Sequence, residues 1–240
     1  YVASIDNIVK ENSDPEIYKS LISTTSSFWK TPIASNKLII VFSTSYNNFD
    51  ISFSVLHSLL RVFGCSILYV KNPGRGMYTD GSPGLGNSID TLACGLQRFC
   101  EAQGSTDVRV CGFSSGGYAS LYTAAALKAA SYLGFAVKTD WSAESQLKIV
   151  AGRAAPGEGD RQTNTLVNLR DLASMSDIGH AVLYYGDRDR SDEAHAQNMR
   201  SHDNFSIVAV PGATHSVILN LMGEGGFNAI LEQFASDKAD

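Results

Sequence analysis

A serine inside a Gly-x-Ser-x-Gly motif, at residues 112–116, is the first candidate for chemistry in this sequence. An alternating apolar run at residues 108–111 predicts a buried strand before it, and the alanine- and leucine-rich residues 118–130 predict a helix after it. A serine on so sharp a strand-to-helix turn has its hydroxyl exposed, and the two glycines let strand and helix approach closely. Ser114, rather than Ser115, has a glycine two residues away on both sides.

A serine hydroxyl needs a base within hydrogen-bond reach, and that base needs an acid that fixes its tautomer. In a parallel α/β sheet such groups gather at the carboxyl ends of the strands. Asp189 and His215 each follow a predicted strand, and His215 is the one histidine placed just beyond a strand late in the chain. Asp187 and Asp192 flank Asp189 and remain alternatives for the acid.

The elements that must position these residues alternate along the chain. Predicted strands cover residues 37–42, 65–70, 108–111, 181–185 and 205–210, and predicted helices cover 51–63, 88–103, 118–130, 192–200 and a last segment containing Phe227 and Phe234. This alternation predicts an α/β fold with a doubly wound, mostly parallel sheet flanked by helices. The pattern is weaker between Ser131 and Asp177, where we expect a strand at 146–151, a loop over the site at 151–164 and a short helix at 165–173.

Length and charge limit the possible functions. We expect a polar N-terminal lead-in at residues 1–36 and a single catalytic domain at residues 37–240. The net charge of -5 gives no general attraction to nucleic acid, and no apolar run approaches the roughly 20 residues of a membrane span. No signal peptide is visible, which favours a cytoplasmic location, and the absence of an initial methionine suits a processed chain or a domain of a larger protein.

Metal and cofactor sites are not expected. The four cysteines form no Cys-x-x-Cys pair and are accompanied by no histidine cluster, so zinc is not predicted and buried thiols are the simpler interpretation. Gly84-x-Gly86 is part of a dinucleotide fingerprint, but the third glycine is missing, so no nucleotide cofactor is predicted.

The order Ser114, Asp189, His215, with the serine on a nucleophile elbow, resembles the α/β-hydrolase superfamily, which includes serine esterases and acyltransferases. The resemblance covers about residues 38–236 and is carried by the elbow and by the turns Gly186-x-x-Asp189 and Gly212-x-x-His215. It implies that Ser114 is the nucleophile, His215 the general base and acid, and Asp189 the orienting acid.

The resemblance also implies an oxyanion hole built from backbone amides. One donor would be the amide of Ser115, and the other would come from the loop after the strand at 37–42, where position points to Thr44 or else Ser45. This loop departs from the family pattern, because it contains no His-Gly run.

The function expected on this basis is cleavage of an acyl ester or thioester through a serine acyl-enzyme, on a small-molecule or glycan acyl substrate. Two alternatives stay open: an O-acyltransferase that uses the same triad on a sugar, glycan or carrier-bound substrate, and a non-catalytic, hydrolase-like binding or secretion-partner domain. The missing His-Gly run favours the non-catalytic alternative, whereas the presence of serine, histidine and aspartate at fitting positions favours an enzyme.

Overall fold

The protein is described here by a computed structural model, which describes residues 11–13, 16–71, 77–142, 147 and 166–236. One sheet contains eight strands: β1 (Glu11–Asn12), β2 (Ser27–Trp29), β3 (Lys37–Phe42), β4 (Ser66–Val70), β5 (Asp107–Phe113), β6 (Ser131–Phe135), β7 (His180–Gly186) and β8 (Phe205–Val210). Their order across the sheet is β1-β2-β4-β3-β5-β6-β7-β8, and every neighbouring pair is parallel except β2 and β4. The predicted doubly wound, mostly parallel sheet is therefore confirmed.

Helices cover both faces of this sheet. Within the described ranges we name α1 (Glu16–Leu21), α2 (Phe53–Leu60), α3 (Ile89–Ala102), α4 (Gly117–Ala126), α5 (Arg190–Gln197), α6 (Val217–Gly223) and α7 (Phe227–Ala235). Helices α3, α4 and α5 contribute to the hydrophobic cluster on one face, and α1, α2, α6 and α7 contribute to the cluster on the other. None of the helices in the described part of the chain is long and apolar enough to cross a bilayer.

Strand β3 shows why the central strands were predictable. Residues 38–42 are completely buried, and successive side chains alternate between the two clusters, so a continuous apolar run is required. Helix α3 shows the same agreement at its ends. The hydroxyl of Ser88 accepts the amide of Thr91 in a capping box, and Gly104 lies just beyond the helix with a φ of 64°.

The region after the serine motif differs from the prediction. The predicted helix at 118–130 ends at Ala126, and the chain turns at Lys128, with a φ of 51°, into strand β6, which was not predicted. The described part of the predicted helix at 165–173 contains short 3-10 turns, Leu169–Asp171 and the start of Ala173–Asp177. Apart from Leu147, the predicted strand at 146–151 and loop at 151–164 lie outside the described residues.

Part of the predicted lead-in pairs with the sheet. Strand β2 runs antiparallel to β4, and Phe28 and Trp29 are buried, one in each hydrophobic cluster. Strands β5, β6, β7 and β8 are adjacent and parallel, so their carboxyl ends lie along one edge of the sheet. The segments that follow β5, β7 and β8 are the ones that contain the candidate site residues.

Candidate active site

Ser114 lies directly after β5, in a 3-10 turn that leads into α4. Its φ of 50° is in the left-handed region, which a residue with a side chain adopts only when the surroundings impose it. The two glycines of the motif make this packing possible. A Cβ on Gly112 would lie 1.9 Å from the Ser120 hydroxyl, and one on Gly116 would lie 2.5 Å from the carbonyl of Ser43.

His215 faces this serine from the loop after β8. Its Nε2 lies 2.7 Å from the Oγ of Ser114, and the Phe113 ring packs beside the imidazole with 5.4 Å between ring centroids. The turn after β7 supports the loop, because Asp187 accepts the amide of Gly212 at 2.8 Å. The sequence predictions for Ser114 and His215 therefore place two side chains that the structure brings into contact.

The acid beside His215 is Asp192 rather than the predicted Asp189. The Nδ1 of His215 lies 2.7 Å from Oδ2 of Asp192, whose side chain is fully buried. Asp189 instead caps α5, where its Oδ1 accepts the amides of Ser191 and Asp192 at 3.0 Å each. The hydrogen bond to His215 is therefore made by Asp192, one of the stated alternatives, because Asp192 lies about one helical turn beyond the cap position.

Lys138 contacts the other oxygen of the same carboxylate. Its Nζ lies 2.6 Å from Oδ1 of Asp192 and 3.0 Å from the hydroxyl of Ser191. Burial raises the pKa of Asp192, but the hydrogen bond from His215 and the charge of Lys138 outweigh burial and lower the pKa below its ordinary value. Asp192 is therefore a carboxylate at neutral pH, and it accepts on both oxygens.

This carboxylate determines which nitrogen of His215 holds the proton. Because a carboxylate only accepts hydrogen bonds, Nδ1 must donate to it, and a neutral imidazole then presents the lone pair of Nε2 to Ser114. The arrangement can therefore remove a proton from the serine hydroxyl. Sequence reasoning did not identify Lys138, which follows the unpredicted strand β6.

A second histidine, His195, lies on the same helix as Asp192, but its contacts join two segments of the fold. Burial and the nearby Lys138 charge lower the pKa of His195 to about 4. Its Nδ1 accepts the amide of Thr139 at 3.2 Å, and its carbonyl accepts the hydroxyl of the same threonine at 2.7 Å. This neutral imidazole ties α5 to the segment that carries Lys138.

The loop after β3 does not place Thr44 as the prediction requires. The amide of Thr44 donates to the carbonyl of Asn48 at 2.9 Å and is therefore committed to a turn. The amide of Ser45, the stated alternative, donates to the hydroxyl of Ser115 at 3.0 Å. The structure therefore does not support Thr44 as an oxyanion donor, and it couples Ser45 to Ser115, the residue after Ser114.

A buried lysine, Lys71, holds the loop after β3 in place. Lys71 is 1% exposed, and its Nζ donates to the side-chain oxygen of Asn47 and to the carbonyl of Leu21, each at 2.8 Å. Burial lowers the pKa of Lys71 to about 7. The lysine also lies 4.0 Å from the centroid of the Phe53 ring, so the loop is held to both α1 and α2.

One cluster in the described part of the chain has donor types suited to a metal ion: Asp189, Asp192 and His215, with donor atoms within 4.8 Å of one another. Hydrogen bonds engage Oδ1 of Asp189, both oxygens of Asp192 and both nitrogens of His215, and the Lys138 ammonium lies 2.6 Å from Oδ1 of Asp192. A cation would have to displace that ammonium, so the cluster suits proton transfer better than metal binding.

Comparisons with known proteins agree with this architecture. No protein-family model matches the sequence, and no curated protein matches it. Among solved structures, the chain is similar to Est1E from Butyrivibrio proteoclasticus, with 17% identity, a TM-score of 0.57, and coverage of 88% of this chain and 94% of that one. It is also similar to MenH from S. aureus, with 12% identity, a TM-score of 0.54, and coverage of 88% and 98%.

A third similar structure is the proline iminopeptidase of Mycobacterium smegmatis, with 16% identity, a TM-score of 0.57, and coverage of 88% of this chain and 93% of that one. A serine hydrolase homologue from Coxiella burnetii shares 16% identity at a TM-score of 0.54, with coverage of 87% and 89%. At such identities the similarity establishes the fold, which is that of the α/β-hydrolases.

Proposed function

We propose that this protein is a serine hydrolase that cleaves acyl esters or thioesters through an acyl-enzyme on Ser114. The observation that carries the proposal is the unbroken chain of contacts from Ser114 to His215 to Asp192, with both links at 2.7 Å. The strained φ of Ser114 supports it, since such strain is concentrated at functional sites.

The geometry supports the following order of events. The Nε2 of His215 takes the hydroxyl proton as Oγ of Ser114 attacks the acyl carbon, and Asp192 stabilises the imidazolium that forms. The imidazolium then gives its proton to the departing alcohol or thiol, which leaves the acyl group on Ser114. A water molecule, deprotonated by His215 in turn, attacks the acyl carbon. The bond between that carbon and Oγ of Ser114 then breaks, the imidazolium returns its proton to Oγ, and the carboxylic acid leaves.

The oxyanion in this scheme is stabilised by Ser115. Its amide belongs to the first turn of the helical segment after β5, where amides have no intrahelical acceptor. Its hydroxyl accepts from the amide of Ser45 at 3.0 Å, which leaves the hydroxyl proton to serve as a second donor.

Hydrolysis is favoured over acyl transfer by solvent access. The side chain of His215 is 40% exposed, so water can reach the histidine that must activate it. The structure of another protein, Est1E, is described as binding ferulic acid, and aromatic acyl esters therefore belong in the substrate panel beside short and long alkyl esters and thioesters.

The test is labelling with a fluorophosphonate probe, followed by intact mass measurement. We expect one adduct on the wild-type protein and none on Ser114→Ala, because only an activated serine attacks phosphorus at a useful rate. Ser115→Ala is the matched control: it should still form the adduct, at a rate about tenfold or more lower if its hydroxyl stabilises the oxyanion.

A folded wild-type protein that takes no label would contradict the proposal and favour the non-catalytic, hydrolase-like binding domain. Equal labelling of Ser114→Ala would show that the reactive serine is elsewhere. With labelling established, turnover of the ester and thioester panel in the presence and absence of added alcohols distinguishes hydrolysis from acyl transfer.

A further inference from the structure

We infer that Lys138 is a positioning residue of the proposed active site: it holds the carboxylate of Asp192 in the orientation that meets His215 and balances the charge of that carboxylate. This inference rests on the proposed function for its biological meaning. Its physical content, a charge coupling between Lys138 and His215, can be measured separately.

The geometry of Asp192 is the first argument. Its side chain is fully buried, and its two oxygens are divided between Lys138, at 2.6 Å, and His215, at 2.7 Å. Rotation of the carboxylate toward either partner would lose the other, so the ammonium fixes the orientation in which Oδ2 meets the imidazole. The lysine is itself held, because its Nζ also contacts the hydroxyl of Ser191 at 3.0 Å.

Charge is the second argument. An unpaired, buried carboxylate beside His215 would favour the imidazolium and so keep the base protonated in mildly acidic solution. Lys138 supplies the opposite charge in the same buried space, since its side chain is only 16% exposed. The ammonium therefore offsets the carboxylate charge that faces the imidazole.

Other charged or titratable groups lie in the segments around this site. They are Asp187 and Arg188 after β7, Asp189 at the cap of α5, His195 on α5, Asp140 after β6, and Asp50, which contacts α6. Among them, the pKa of His195 is itself lowered by the Lys138 charge, so a variant that removes both His195 and the Lys138 charge separates the direct effect on His215 from one transmitted through His195.

The experiment compares Lys138→Gln, which keeps a hydrogen-bond donor and removes the charge, with Lys138→Arg, which keeps both. The second-order rate constant of fluorophosphonate labelling is measured against pH. The Lys138 ammonium and the imidazole contact the two oxygens of one carboxylate, so we expect Lys138→Gln to move the midpoint of the acidic limb upward by about one pH unit. Lys138→Arg should stay within about 0.3 units of wild type.

A merely structural role would lower the plateau rate or the melting temperature and leave the midpoint in place, and that result would overturn the inference. Lys138→Met provides a second neutral variant if Lys138→Gln does not fold, and thermal melts by circular dichroism monitor folding.

A second readout needs no catalysis. The Cε1–H resonance of His215, assigned by its loss in His215→Gln, is followed by NMR against pH. The midpoint of this titration should move upward in Lys138→Gln by the same amount as the midpoint of the labelling profile. If the NMR midpoint moves in a protein that takes no label, the proposed function fails and the charge coupling stands. If labelling is normal but neither the NMR midpoint nor the midpoint of the acidic limb moves, the proposed function stands and the charge coupling fails.

Discussion

Replacement of one aspartate at a time by asparagine distinguishes the role of Asp192 from that of Asp189 at the start of α5. Asp192→Asn places a carbamoyl group between Lys138, which only donates hydrogen bonds, and the Nδ1 of His215. The amide oxygen must turn toward the ammonium at the 2.6 Å contact, so the NH₂ group turns toward His215. The imidazole is then forced to accept at Nδ1 and to hold its proton on Nε2.

A histidine with its proton on Nε2 cannot take the proton of Ser114. The cost of this wrong tautomer is about 10⁴-fold in kcat for a Ser-His-Asp enzyme, and we expect a loss of about that size in kcat and in the rate of fluorophosphonate labelling. Asp189→Asn is the matched control. Its side-chain oxygen can still accept the two amides that it caps at 3.0 Å, and asparagine caps helices as well as aspartate does, so the rate should stay within about threefold of wild type.

Labelling rates of the two variants, measured side by side after thermal melts have shown that both are folded, decide the assignment. Retention of near wild-type labelling by Asp192→Asn would refute the reasoning. A larger loss in Asp189→Asn than in Asp192→Asn would restore the acid first predicted from the sequence.

Two further predictions concern stability. Gly112→Ala should lower the free energy of unfolding by about 1–3 kcal/mol in urea, because its Cβ would lie 1.9 Å from the buried Ser120 hydroxyl, whereas Gly223→Ala, with open space at that position, should change it by less than about 1 kcal/mol. His195 has a folded-state pKa of about 4, below its ordinary value, so the unfolded chain binds more protons in the window between these values and stability rises with pH. We expect the free energy of unfolding to increase by about 2–3 kcal/mol from about pH 4.5 to about pH 7, with a flatter profile in His195→Gln; an unchanged profile in that variant would contradict the assignment.

The central strands and the serine turn could be predicted because local sequence alone specifies them. Strand β3 needs apolar side chains on both faces, and its predicted bounds agree with the structure. The motif at residues 112–116 needs glycine where a Cβ would overlap Ser120 or Ser43. Such requirements act within a few residues and so leave a readable pattern.

Strand β6 left a weaker pattern. Its five residues, Ser131–Phe135, include a glycine and follow an alanine-rich stretch that continues the helical composition of α4. The helix ends early, and Lys128 just beyond it has a positive φ. Nothing in the sequence around Lys128 predicts this backbone conformation. Because β6 was missed, the segment after it was not placed at the edge of the sheet where the active-site candidates gather.

The preference for Asp189 over Asp192 has a related cause, although the sequence contains a local signal for Asp192. Aspartate is among the preferred helix-capping residues, and Asp189 immediately precedes α5, which begins at Arg190 rather than at the predicted residue 192. A capping carboxylate is already engaged with backbone amides, so the next acid along the helix, Asp192, is the one left to meet another element.

Asp192 also shows why short sequence motifs could not predict all residues of the candidate site. Its two partners, Lys138 and His215, follow β6 and β8 and lie 77 residues apart in the sequence, and only the adjacent, parallel arrangement of these strands with β7 brings them to one carboxylate. The turn of the candidate nucleophile is specified by five residues, whereas the carboxylate beside His215 is held by contacts across three strands. Reactivity at Ser114 should therefore respond to substitutions at Lys138 that leave the serine motif untouched.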